Sequence, residues 1–224
     1  DNYRSLIKHW TPSEPVIHSD NSDVVKPDGY KFESFGIVKD DSESTSTKNV
    51  YKKGYHIAEV CALTTSNHPV SIFSKIHSSA EKGYKSANVI TFEAMEQGAA
   101  LFKRATFCMD RGYDDNKMFL KLDELKQNYV IRLTSKRKLL CHNKWTPTTE
   151  LRDRRKGKIK ASVFYRGKEH ETYLSHIRVQ ITASRKDIYL VLVYSITEHP
   201  MMLATNKEIQ SKEDVIQVAR IYFS

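Results

Sequence analysis

The sequence is short of cysteine, of long apolar stretches and of recognisable catalytic signatures, and each shortage excludes something. Cys61, Cys108 and Cys141 are the only cysteines in 224 residues. They are odd in number, widely spaced and set among mostly apolar or strand-like neighbours, which supports neither a disulfide framework nor a CxxC zinc site. A reducing cytoplasm is the expected location. No apolar run is long enough to span a bilayer and no signal-peptide pattern opens the chain, so a soluble protein without a membrane partner is expected. The sequence contains no GxGxxG, no P-loop, no GxSxG and no HExxH. The nearest approach is His170-Glu171 with His176, spaced too far for two ligands on adjacent helical turns, and these histidines read as structural or exposed. No internal repeat is visible.

What is present describes a basic globular protein. Hydrophobic residues at 39% and aromatics at 10% are enough for a real core, and the length suits a single folded unit with an elaboration. There are 36 Lys+Arg against 27 Asp+Glu, a net charge of +9. That balance suits a polyanionic partner, nucleic acid first. Much of the excess lies between Lys136 and Lys160, where Lys136, Arg137, Lys138, Arg154, Arg155 and Lys156 are among ten cations opposed only by Glu150 and Asp153. Such a run releases counterions on meeting phosphates, although a solvated basic loop has the same composition.

Periodicity sets out the elements. Val16–His18 after Pro15 reads as a short strand, followed by strand candidates at Phe32–Val38, Tyr55–Leu63 and Ser71–His77, with a polar Ser/Thr-rich loop over Asp40–Asn49. Phe92, Met95, Ala99 and Phe102 recur at helical spacing within Ser86–Arg104. Ala105–Met109 is a short apolar strand ending on Asp110. Met118, Phe119, Leu122 and Leu125 mark a second helix, and Tyr129–Leu133 the next strand. Beyond the basic run, Ile177, Val179 and Ile181 alternate with polar residues, Ile188–Tyr194 is continuously apolar as in a buried strand, and Met202–Ala204 adds another. Ser211 and Asp214 form a capping-box pattern ahead of Val215, Val218, Ala219 and Tyr222 on one helical face. The order predicts an α/β fold with a mixed sheet. The chain starts at Asp1 and stops at Ser224 inside a helical pattern, so both ends look cut.

Asp20 and Asp110 each follow a predicted strand. In α/β sheets, strand ends are where side chains from distant sequence converge. Carboxylates gathered there repel one another unless a cation lies between them, and hard divalent ions prefer such oxygens. A plainer reading makes Asp20 and Asp23 turn residues before Lys26-Pro27-Asp28-Gly29, and Asp110 a cap on the loop Arg111-Gly112-Tyr113. Spacing alone favours the plainer one.

The surrounding motifs tip the balance. Asp20-Asn21-Ser22-Asp23 resembles the D-x-[ST]-D motif around the first catalytic Asp of prokaryotic insertion-sequence DDE transposases, and Met109-Asp110-Arg111-Gly112-Tyr113 resembles the motif around their second. Leu203-Ala204-Thr205-Asn206 matches a segment these proteins carry shortly before their last catalytic helix. The resemblance runs from about residue 15 to the end, in the family's order. It implies a ribonuclease-H-like fold, a mixed sheet flanked by helices with a β-rich insertion before the last helix. Residues 1–135 would be the first part of the catalytic core, 136–206 the basic insertion and 207–224 the start of the last core helix. Tyr222 matches the Tyr of the family's Y-x-x-R-x-x-x-E signature, whose Arg and Glu would fall after Ser224.

The implied chemistry is phosphoryl transfer on DNA by two metal ions, Mg²⁺ or alternatively Mn²⁺. Asp20 would share both ions and Asp110 would hold one. Asp23, Arg111 and Tyr222 are weaker candidates for positioning or phosphate contacts. Lys136, Arg137, Lys138, Arg154, Arg155 and Lys156 would meet the DNA backbone. Trp145 and Tyr165 suit core packing better than base stacking. The resemblance further implies a homodimer on DNA, associated with a prokaryotic nucleoid. With the third acidic residue missing, the expectation for this stretch of chain is little or no cleavage. Two alternatives stand beside it: a DNA-binding remnant without catalysis, and a nuclease on the same scaffold.

Overall fold

A computed structural model describes residues 2–29, 31–45 and 47–224. Asp1, Tyr30 and Ser46, the last inside the Ser/Thr-rich loop, lie outside the described residues. Where a single folded unit was expected, the chain divides into two compact units: Asp1–Thr11 with His18–Leu101, and Pro12–Ile17 with Phe102–Ser224. The division passes through the first strand, whose opening residues Val16 and Ile17 count with the second unit.

Unit one holds helix α1 (Asn2–Trp10), most of strand β1 (Val16–Val25), β2 (Gly36–Lys39), β3 (Tyr51–Leu63), β4 (Pro69–His77) and helix α2 (Ala87–Leu101). Strand β3 is antiparallel to β2 along Tyr51–Gly54 and to β4 along His56–Leu63, with a register shift between Val60 and Cys61. Its Gly54 is required by close approach: a β-carbon there would stand 2.2 Å from the Val24 carbonyl oxygen of β1. Helix α2 buries Thr91, Ala94, Met95, Gly98 and Leu101 at three- and four-residue spacing and lies against β3 and β4.

Three features of this unit differ from the sequence reading. Helix α1 was not foreseen; it buries Ile7 and leaves Tyr3, Leu6 and Trp10 exposed. Of the predicted Phe32–Val38 strand only the part from Gly36 on is paired, because Phe32 and Phe35 instead gather with Tyr55 at centroid distances of 6.4 and 5.3 Å. Strand β1 does not end before Asp20 but continues through Asp20 and Asp23 to Val25. Its exposed polar residues show no apolar alternation, yet ladder bonds satisfy the backbone whatever the side chain.

Unit two holds β5 (Thr106–Met109), a 3₁₀ turn (Arg111–Tyr113), α3 (Asn116–Glu124), β6 (Asn128–Arg132), β7 (Lys138–Cys141), β8 (Lys144–Pro147), α4 (Thr148–Asp153), β9 (Ile159–Tyr165), β10 (Lys168–Gln180), β11 (Asp187–Tyr194), β12 (Met201–Thr205) and α5 (Lys212–Tyr222). Its strand order is β5-β6-β12-β11-β10-β7-β8, with β9 also on β10. Strands β5 and β6 are parallel, from Thr106↔Asn128 to Met109↔Ile131, and the neighbours beyond them are antiparallel. All four residues of β5 are buried, as parallel strands covered on both faces require. Val191, Val193, Leu203, Val215, Val218 and Ala219 form the core under α5.

The basic run is less of a loop than its composition suggested. It contains the β7–β8 hairpin, turned at His142 and Asn143 with positive φ of 49° and 60°, the short helix α4 and the start of β9. Strand β12 pairs directly with β6, so the β-rich part prolongs the sheet of this unit. No helix among the described residues is long and apolar enough to cross a membrane.

Candidate active site

In unit two the site starts from strand register. Met109 is level with Ile131 across the parallel β5–β6 pair, so the next residue on each strand, Asp110 and Arg132, emerges side by side at the carboxyl ends. Asp110 is exposed. Its Oδ1 accepts the Gly112 N–H at 2.6 Å and its carbonyl accepts that of Tyr113 at 3.1 Å. The cap foreseen as the plain alternative is therefore made, by one carboxylate oxygen. The Arg132 side chain acts electrostatically on the Tyr222 hydroxyl. Burial pushes the Tyr222 phenol up, Arg132 pulls it down, and Cys108 and Asp110 add a smaller upward push. Tyr222 thus packs on the core cluster while its hydroxyl reaches the strand ends.

A cleft of about 510 Å³ opens at the same end, lined by Arg111, Arg132, Lys136, Arg152, His199 and Met202 among others. Of the basic residues that line it, Arg111 and Lys136 were foreseen as DNA contacts and Arg152 as a member of the basic run; Arg132 and His199 were not singled out. Arg132 had a legible signal: like Asp110, it is the polar residue that closes a short apolar run. Arg152 was legible only as a member of the basic run, since its place in the cleft depends on α4.

The other cations of the basic run fare differently. Lys136, Lys138 and Lys156 are exposed. Arg154 is exposed and paired with Glu150 one helical turn back. Arg155 donates to the His176 carbonyl at 2.9 Å. Both line a second cleft of about 660 Å³ with Lys156 and Lys158 above Cys141 and Leu174. Arg137 is held inside the protein against Asp114. Trp145 is 41% exposed, whereas Tyr165 packs edge-on against Phe223 at 5.5 Å.

In unit one, Asp20 is exposed on β1 and its Oδ1 accepts the N–H of Asn21 at 2.9 Å. Asp23 lies three residues on, a spacing that puts it on the opposite face of a regular strand. It meets His56 Nδ1 at 2.6 Å, an ion pair when His56 is protonated. Asp23 is a strand residue with a partner on β3, not a turn residue.

Both candidate ligands offer hard carboxylate oxygens at exposed positions, a donor chemistry that fits Mg²⁺ or Mn²⁺. Among the described residues no three His, Cys, Asp or Glu side chains stand together as a metal cluster.

Unit two's parallel β5–β6 pair with an acidic strand end, extended by antiparallel strands and covered by α5, is a mixed α/β arrangement compatible with the ribonuclease-H-like class. Within that class, residues 19–221 match the transposase DDE domain family. The chain belongs to that family of DDE transposases. A comparison with curated proteins found no match.

Proposed function

We propose that this chain supplies the greater part of a catalytic core for metal-dependent phosphoryl transfer on DNA, the chemistry that cleaves strands at insertion-sequence ends and joins them to a target, with Asp20 and Asp110 as two of the ligands of Mg²⁺ or Mn²⁺. The single observation that carries the reading is Asp110 at a parallel strand end, abreast of Arg132 and beside a cationic cleft, within a matched DDE domain. The joint role of Asp20 and Asp110 is supported by their motifs and the family.

Bound ions would activate water or a DNA 3′-hydroxyl and stabilise the leaving oxygen. The protein's own groups would do the rest. The Gly112 N–H takes one oxygen of Asp110 and so fixes the direction of the other. Arg111, Arg132 and Lys136 provide positive charge for a scissile or neighbouring phosphate. Tyr222, under the influence of Arg132, would contact the same backbone. Lys138, Arg154, Arg155 and Lys156 would add sequence-independent affinity. The working form would be a homodimer on DNA in a prokaryotic cytoplasm.

The test is nicking and strand transfer on plasmid DNA with Mg²⁺ or Mn²⁺, comparing the protein with D20N and D110N. Asparagine keeps a cap acceptor for Gly112 but loses the charge, so D110N separates the cap from the ligand. Whatever activity the parent shows above background should be lost in both variants while DNA binding persists; a D110N protein that retains such above-background activity would refute the ligand role. DNA binding without cleavage by the parent chain would favour the second reading, a domain that holds DNA but does not cut it.

A further inference from the structure

Arg137 lies near the start of the basic run, yet each nitrogen of its guanidinium donates a hydrogen bond to a protein acceptor. Nε and Nη2 both reach Asp114 Oδ1 at 2.7 Å, and Nη2 also donates to the Asp114 carbonyl at 3.0 Å. Nη1 donates to Asn116 Oδ1 at 2.5 Å and to Thr182 Oγ1 at 3.3 Å. The guanidinium also stacks 5.4 Å from the centre of the Phe119 ring. The other carboxylate oxygen of Asp114 accepts the Thr134 N–H and hydroxyl, each at 2.8 Å. The Asp114 side chain is 1% exposed and that of Arg137 10%. A buried ion pair is weak evidence for stability, and its best-attested use is to fix one arrangement of the segments it joins.

The segments joined here meet at the candidate site. Asp114 and Asn116 follow Asp110 by one 3₁₀ turn, whose N–H groups bond back to Asp110. Thr134 and Arg137 belong to the β6–β7 connection, which also carries Lys136 into the 510 Å³ cleft. Thr182 comes from the β10–β11 turn. We propose that Arg137 and Asp114 are a positioning pair: they hold the Asp110 turn in fixed register with the phosphate-facing Lys136 loop and tie the β10–β11 turn to both. The proposal rests on Asp110 being a metal ligand. Arg137 is then a positioning residue, not a DNA contact.

The test uses R137K, R137Q, D114N and the milder T182V, with three measurements on the purified protein. These are Mn²⁺ affinity by electron paramagnetic resonance, hydrogen exchange of residues 110–116, and the salt dependence of DNA binding without activating metal. Lysine keeps the charge but cannot reproduce the fork. R137K and D114N should therefore weaken Mn²⁺ binding by about ten- to a hundredfold and raise exchange across residues 110–116, with β11 and β12 unchanged. T182V should shift both in the same direction by less. R137Q should leave the salt slope of DNA binding unchanged, whereas K136A should lower it by about one.

Near-parental exchange and metal binding in R137K and T182V, with a salt slope reduced by about one in R137Q, would overturn the proposal and make Arg137 a phosphate contact. A D110N protein that binds Mn²⁺ like its parent would instead remove the ligand role of Asp110, and the exchange measurement would still decide whether the pair fixes the turn.

Discussion

Two buried side chains in unit one link folding to acid, in different pH windows. Both rings of the His56–His77–Tyr84 stack that flank His77 lie within 6 Å of it, at 5.3 and 5.9 Å, and its two ring nitrogens are buried without a hydrogen-bond partner. Burial lowers its pKa first; His56 and Lys75 push the same way, and Glu81 and Asp23 oppose them. The folded state therefore prefers neutral His77. Below a pH of about 6.5 the unfolded chain binds the extra proton, so stability falls as pH falls. Thermal unfolding followed from pH 7.5 to 5 should show this loss, and His77→Phe, which keeps the stack, should flatten it. Asp40 works lower down. Bonds from Ser42 and Lys52 hold its carboxyl at about 2, so its contribution is present above a pH of about 4 and disappears towards 2. Asp40→Asn should remove that part of the acid limb and leave the His77 part.

Among the elements, α5 is the one whose start was fully legible. Ser211 accepts the Asp214 N–H at 3.2 Å, and Asp214 accepts the Ser211 N–H at 2.8 Å. Ser211→Ala should cost about 1 kcal/mol in denaturant unfolding, without changing DNA binding. Strand β12 has a different source of stability. Leu203 is fully buried between β6 and β11 under α5, and Leu203→Ala should cost about 2–5 kcal/mol, the range for a buried leucine that leaves a cavity. A loss below about 1 kcal/mol in chemical denaturation would mean that the core under α5 collapses readily around the gap.

For the molecule as a whole, the net charge of +9 makes salt the controlling variable of any DNA complex. Binding should weaken linearly in log–log form as salt rises, by about 0.9 per neutralised phosphate on duplex DNA. The cations are not equivalent. Lys136, Lys138 and Lys156 are exposed, whereas Arg137 is consumed inside the fold. Replacing the three lysines together should reduce the slope by roughly three, as read by fluorescence anisotropy across a salt series. An unchanged slope would place the DNA elsewhere on the protein.

The sequence by itself determined the α/β order, most strands and helices, the capping box and the family, because apolar periodicity and short motifs are local properties of the chain. It also placed Asp110 at a strand end, since that residue closes the short, largely apolar run Ala105–Met109. Tertiary structure decided what depends on partners distant in sequence. Backbone pairing carried β1 through exposed Asp20 and Asp23, where side chains show no strand pattern. Parallel register set Arg132 beside Asp110 across 22 residues. Burial against Asp114 took Arg137 out of a run that composition alone reads as uniformly solvated, because a charge leaves water only where folding assembles enough acceptors to receive it.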